Sequence, residues 1–209
     1  MDVIDVTGSP TPVVTPLVLV LAAGAGTRMG GPKVFARVRG GAFCTHISQT
    51  LRTLGWPAVW VLREKGQLRE LADHIDMQPD FCINSDPAGD MLSSISVALS
   101  APAARLSLVF CIWPVDFPLI LPETLQKLAG SLDNWEAVLP ANNTCTGHPL
   151  IVRRHILCRW LSSMPPDGLR QAMAENPAGV RAVAVADPGP FSNLNTPQDC
   201  TAAETPGDG

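Results

Sequence analysis

Six short runs, each almost wholly apolar, are spaced along this chain and separated by segments of quite different pattern: LVLVLA (17–22), AVWVL (58–62), FCIN (81–84), LSLVFCIW (106–113), EAVLP (136–140) and VRAVAV (180–185). A strand with one wet face alternates apolar and polar residues. A strand buried on both faces is apolar throughout. Such runs need helices above and below, and the intervening segments supply them. Phe43, Ile47, Leu51 and Leu54 recur at helical spacing, as do Leu68, Leu71 and Ile75. Asp90 is placed to cap a helix carrying Met91, Ile95 and Leu99, and Pro122 suits the first turn of a helix bearing Leu125 and Leu128. A further segment around Ile156, Trp160 and Leu161 covers the far side of the sheet. The alternation predicts an α/β fold: a doubly wound, mostly parallel sheet.

At 209 residues the chain fits one domain, expected over 17–200 between a loose leader (1–16) and a frayed tail (201–209). Hydrophobic residues at 46% against 16% charged mark a globular chain. A net charge of −4 argues against a nucleic-acid backbone or an anionic membrane as the main partner, because both call for a basic face. The six cysteines show neither a C-x-x-C pair nor zinc-type spacing to histidine, and so read as reduced thiols. No signal-peptide pattern opens the chain and no apolar run approaches membrane-spanning length, which predicts a cytoplasmic protein.

The first apolar run leads straight into AAGAGTRMGGPK (22–33). Glycines let backbone N–H groups face an anion at close range, and Arg28 and Lys33 add two cations. Yet the stretch misses both familiar phosphate motifs. Three residues separate Gly26 from Gly30 where the dinucleotide pattern has two, and Pro32 stands between Gly31 and Lys33 where the P-loop has none. Turn glycines at Gly40 and Gly41 follow, so no helix is expected to start inside the loop. Loop amides and side chains would then hold phosphates more than a helix dipole does.

Asp116 ends another apolar run, between Pro114 and Pro118. An acid at a strand's carboxyl end is badly placed for packing and well placed for a metal. Mg²⁺ takes few carboxylates, several waters and phosphate oxygens. Asp86 is the competing acid. Asn193 and Asn195 each offer a hard oxygen on one side of an extended segment, one for the metal and one to pin the loop. His148 lies in a Gly-His-Pro turn, where it either packs or touches a second substrate; His46, His74 and His155 read as surface or interface residues.

LAAGAGTRMGGPK resembles the signature loop of the MobA-like nucleotidyltransferases, roughly L-A-[AG]-G-x-[GS]-x-R-M-G-x-x-K. WPVDFPLI resembles the family's D-x-P, FSNLNTPQD its late N-x-N-T-P-x-D, GDMLSSISVAL its G-M-S-x-S segment, and GHPLIV its acceptor-side G-x-P. The resemblance implies a nucleotide-diphospho-sugar transferase-like, Rossmann-like fold with a nucleotide-binding N-terminal half. It implies nucleotide contacts from Leu21, Ala22, Ala23, Gly24, Gly26, Thr27, Arg28 and Lys33, and from Ser93 and Ser94. It makes Arg28, Lys33 and Asp116 catalytic, gives Mg²⁺ to Asp116 with Asn195 favoured over Asn193, and puts Gly147 and His148 against the acceptor.

The implied reaction joins an NMP from an NTP to an acceptor phosphate and releases pyrophosphate. Ala23 and the GHP turn lean toward CTP and molybdopterin, with a molybdoenzyme or its chaperone as a possible protein partner. NLNTPQD leans toward the guanylyl branch, and a sugar or polyol phosphate is the other acceptor class. Asp90 stands where the family often has Gly, Leu92 where it often has Ser, and the G-x-R helix appears only as PPDGLRQAM (165–173). These departures motivate a different reading, a nucleotide-binding accessory protein without turnover.

Overall fold

The computed structural model describes residues 14–76, 80–86, 90–163, 165 and 167–204. The chain forms β1 (Leu17–Leu21), β2 (Arg37–Val38), β3 (Gly41–Ala42), α1 (Phe43–Leu54), β4 (Ala58–Leu62), α2 (Gln67–His74) and β5 (Asp80–Ile83). It continues through α3 (Met91–Leu99), β6 (Val109–Pro114), α4 (Pro122–Gly130), β7 (Ala137–Ala141), β8 (Leu150–Arg153) and α5 (Arg154–Ser163). It ends with α6 (Gly168–Glu175), β9 (Val180–Ala184) and α7 (Pro197–Glu204). A seven-stranded sheet has the order β5-β4-β1-β6-β8-β7-β9, parallel except where β8 runs against β6 and β7.

Every residue of β1 is buried, because helices cover both of its faces. Val18 and Val20 join Ile47 and Leu51 of α1 and Leu125 of α4 in one core. Leu17, Leu19 and Leu21 point the other way, onto Ile95 of α3 and Ile156 and Trp160 of α5. The expected doubly wound sheet is therefore present.

Three local expectations shift. Leu106 and Leu108, read as the start of a strand, are exposed by 91% and 74%, and the strand begins only at Val109. Leu150–Arg153, where no strand was expected, is β8, the antiparallel strand between β6 and β7. Thr201–Glu204, read as tail, are the last turn of α7, which Arg39 ties down through the Ala203 carbonyl and the Glu204 carboxylate. The rest of the tail, and residues 1–13 of the leader, lie outside the described residues.

The winding fixes where a ligand can enter. From β1 the chain builds outward through β4 to β5, then returns to add β6 on the opposite side of β1. Connections leave the carboxyl ends of β1 and β6 in opposite directions, and a crevice opens between them. The glycine loop follows one of those strands and Asp116 the other.

Candidate functional site

The loop's shape rests on Gly26. It has φ +62°, a left-handed backbone, and a Cβ built there would lie 1.9 Å from the Gly31 carbonyl oxygen. That carbonyl closes over Gly26 while the Gly26 carbonyl accepts from the amides of Met29 (2.8 Å) and Gly31 (3.3 Å). Only a residue without a side chain permits this doubling back. Thr27–Met29 and Lys33–Phe35 make single 3₁₀ turns, and the first α-helix waits until Phe43, as the turn glycines predicted. Gly26→Ala is expected to cost at least about 1–2 kcal/mol from the left-handed backbone alone, seen as a melting temperature lower by at least about 2–4 °C, together with weaker nucleotide binding. An unchanged variant would mean that the loop is not held in this shape.

The turn aims Lys33 back across the crevice. Its ammonium, on a side chain only 12% exposed, donates to Asp116 Oδ2 at 2.8 Å and to Asn195 Oδ1 at 2.6 Å. Asp116 is 25% exposed. Residues from three distant stretches of sequence thus meet at one point. The late loop is tied there through its backbone, since the Leu194 amide donates to the Asp116 carbonyl at 2.9 Å. Asn195 is held by Asn193, whose Oδ1 accepts from Asn195 Nδ2 at 2.7 Å, so the Asn195 oxygen is turned to Lys33. Asp199 accepts from the amides of Asn195 (2.9 Å) and Thr196 (2.8 Å), while the Asp199 amide donates to Thr196 Oγ1. The Asn195 amide, then the Thr196 groups and the nearby Arg28 charge, hold the Asp199 carboxyl below its usual range.

Around this cluster lies a cavity of about 370 Å³, lined among others by Leu21, Ala23, Gly24, Gly26, Thr27 and Arg28, with Lys33 and Asp116. Ser94 lines it as well, its hydroxyl accepting from Asn84 Nδ2 at 3.0 Å. Two expected contacts fall elsewhere. Ala22 is buried in the sheet, with its amide on the Val61 carbonyl, because the strand pairing continues one residue past β1. Ser93 is not among the lining residues; its hydroxyl donates to the Asp90 carbonyl and accepts from the same Asn84 Nδ2 as Ser94, while its amide donates at 2.8 Å to the Asp90 carboxylate that caps α3. Asp86 lines neither this cavity nor the next.

Gly147 and His148 line a second cavity of about 500 Å³, whose walls include Leu139, Leu150, Arg170 and Met173; Asp90 and Met91 border both. A Cβ on Gly147 would strike the Pro190 carbonyl oxygen at 2.2 Å, and the His148 amide donates to that same carbonyl. The His148 ring lies against Phe117, centroids 4.6 Å apart, and its buried Nδ1 has no partner among the described residues. Burial and then the Arg170 charge lower the His148 pKa to about 4, so the imidazole is neutral near pH 7. An unfolded chain protonates this histidine near 6.5 and the native one does not, so its contribution to stability is full above about 6.5 and is lost as the pH falls toward 4. Melting temperature is expected to drop more steeply from pH 7 to 5 in the wild type than in His148→Gln. Parallel curves would place the imidazole in water.

Among the described residues no group of three or more His, Cys, Asp and Glu is placed to hold a metal. Asp116 and Asn195 nevertheless fit an ion of the Mg²⁺ type, because both hard oxygens already converge on one cation, the Lys33 ammonium. Such an ion needs few protein ligands when phosphate oxygens supply the rest. Arg170 and Met173, which the sequence reading placed in the G-x-R stretch without giving either a role, reach the second cavity because α6 folds back to it. Asp199 entered only as the last residue of N-x-N-T-P-x-D, and its capping role was readable from T-x-x-D ahead of a helix, a capping box with Asp for Glu. No described helix is long and apolar enough to cross a membrane.

Comparison with known proteins points the same way. Among curated proteins, none matches this sequence. Solved structures do. Rv0371c from Mycobacterium tuberculosis superposes with a TM-score of 0.77 at 20% identity, over 91% of this chain and 97% of that one, and has also been solved as a manganese complex. A nucleotidyl transferase from Methanothermobacter gives 0.75 at 19%, over 91% and 96%. Molybdopterin-guanine dinucleotide biosynthesis protein A from Archaeoglobus fulgidus gives 0.63 at 20%, over 90% and 96%. The shared architecture is the nucleotide-diphospho-sugar transferase fold. The model of the MobA-like NTP transferase domain matches residues 18–182, a span that carries the glycine loop, Lys33 and Asp116. This chain belongs to that family.

Proposed function

We propose that this protein is a divalent-metal-dependent nucleotidyltransferase that joins the NMP of an NTP to an acceptor phosphate, with CTP and molybdopterin as its substrates. The observation that carries the reading is the meeting of Lys33, Asp116 and Asn195 at the edge of the cavity framed by the glycine loop. Membership of the NTP transferase family supports nucleotidyl transfer as the reaction class. The molybdopterin protein among the structural neighbours supports the acceptor, and the manganese complex supports a divalent ion.

In this reading Arg28 and Lys33 neutralise the β- and γ-phosphates as pyrophosphate gains charge. Asp116 and Asn195 hold the ion, which when bound screens phosphate charge and polarises the reacting phosphoryl group. The acceptor enters from the second cavity, past the neutral His148. An ionised phosphate needs no base, so catalysis is positioning and charge stabilisation. Pyrophosphate release measured with each NTP, molybdopterin and Mg²⁺ or Mn²⁺ tests this. No release with any NTP would leave the accessory-protein reading in its place.

Base choice follows from Ala23, which lines the nucleotide cavity. Its methyl narrows the pocket where a glycine would leave room, and hinders a purine more than cytosine. One methyl is worth about 1–3 kcal/mol. CTP is expected to exceed GTP by at least about ten-fold in kcat/KM, and Ala23→Gly to narrow the gap. GTP winning in the wild type moves the assignment to the guanylyl branch.

A further inference from the structure

The Lys33 ammonium occupies the point at which the Asp116 and Asn195 oxygens converge, 2.8 and 2.6 Å away. Those are the oxygens the proposed function gives to the metal. A divalent ion held by both would stand against the ammonium at close range, where like charges repel, so the two compete for this pair of oxygens. We infer that Lys33 is a resident cation that keeps a bare divalent ion out of the Asp116–Asn195 site and gives it up when a triphosphate arrives. The inference rests on the nucleotidyltransferase reading for the identity of the ligand, and on the geometry for the rest.

Three features make the exchange workable. Lysine is a compact charge on a flexible four-carbon stem, so its ammonium can move while its backbone stays in place. That backbone is fixed by the Gly26 doubling and by the turn at Lys33–Phe35. Asn195 cannot follow the ammonium away, because its Nδ2 is bound to Asn193 and its amide to Asp199. The acceptor oxygens therefore stay where they are while the cation changes. Arg28, exposed on the rim of the same cavity, gives an arriving triphosphate its first contact. The phosphates then offer the ammonium a new partner at the moment the accompanying ion claims Asp116. Metal and nucleotide thus bind as a unit, and the coupling is reciprocal: whatever removes Lys33 from Asp116 favours the ion.

The direct test is Mn²⁺ binding to nucleotide-free protein, followed by electron paramagnetic resonance of the free ion. Lys33→Met is expected to bind Mn²⁺ at least about ten-fold more tightly than the wild type, and Asp116→Asn added to Lys33→Met to remove the gain. Equal affinities of wild type and Lys33→Met overturn the inference, as does a gain that survives loss of Asp116. A measurement on the wild type stands beside it in case the variant folds poorly. In protein carrying ¹⁵N-lysine, Mg²⁺ alone is expected to leave the Lys33 ammonium resonance in place, and Mg²⁺ with CTP to shift it. A shift with Mg²⁺ alone overturns the inference. Failure of every NTP to support pyrophosphate release would instead remove the proposed reaction, and the nucleotide-free Mn²⁺ comparison would still decide the role of Lys33.

Discussion

Asp116→Asn is expected to lower metal-dependent pyrophosphate release by about a thousand-fold or more while leaving the fold in place. The asparagine keeps an oxygen for Lys33 and loses only the charge. The site offers one carboxylate and one amide to an ion, so this change removes the single charged donor and leaves two neutral amides. Metal-ion stabilisation of phosphoryl transfer is worth several kcal/mol, and each 1.36 kcal/mol is a factor of ten. Stability should change by no more than about 1 kcal/mol, because the pair is partly solvated and the side chain sits at the mouth of the crevice and not in either core. Steady-state release and a thermal melt separate the outcomes. A large fall in melting temperature with activity retained would make Asp116 a structural residue of its turn.

Lys33→Ala and Arg28→Ala are each expected to cost about a hundred- to a thousand-fold in kcat, the usual consequence of removing one preorganised charge contact to a transition state, about 2.7–4 kcal/mol. The two differ in what they leave behind. Arg28 is exposed at the rim, and its removal leaves Lys33, Asp116 and Asn195 as they are. Lys33→Ala leaves two acceptor oxygens facing each other without a cation, so its effect on the metal requirement should exceed that of Arg28→Ala. Turnover near wild type in both variants would mean that the glycine loop holds something other than a triphosphate.

The fold was legible because burial on both faces leaves a mark in local sequence. LVLVL and AVWVL have no polar alternation, and helical spacing brackets them, so a helix-covered parallel sheet was the consistent reading. Caps were equally local: Asp90 accepts from Ser93 as its position ahead of Met91 predicted, and Pro122 opens α4. β8 was not legible. Its four residues follow a Gly-His-Pro turn and carry no more strand signal than many loops, and only pairing with β6 and β7 makes them a strand. LSLVF misled for a related reason. Leu106 and Leu108 look like core, but they precede the first residue that β8 can pair, so they remain in solvent.

By itself the sequence determined the sheet class, the left-handed glycine turn that follows β1, and the list of polar residues available to bind an anion and an ion. Each depends on side-chain volume, backbone freedom or charge within a few neighbouring positions. Tertiary structure decided which members of that list meet. Residues 33, 116 and 195 lie far apart in the chain, and they converge because β1 and β6 are neighbours at the point where the winding reverses, with the late loop bonded to the Asp116 backbone. It also decided that Asn195 and not Asn193 faces Lys33, that Ser93 serves the α3 cap, and that Arg170 of α6 stands beside a neutral His148. Distances between remote segments are fixed by how helices and strands pack, and that information is not stored in any single stretch of the chain.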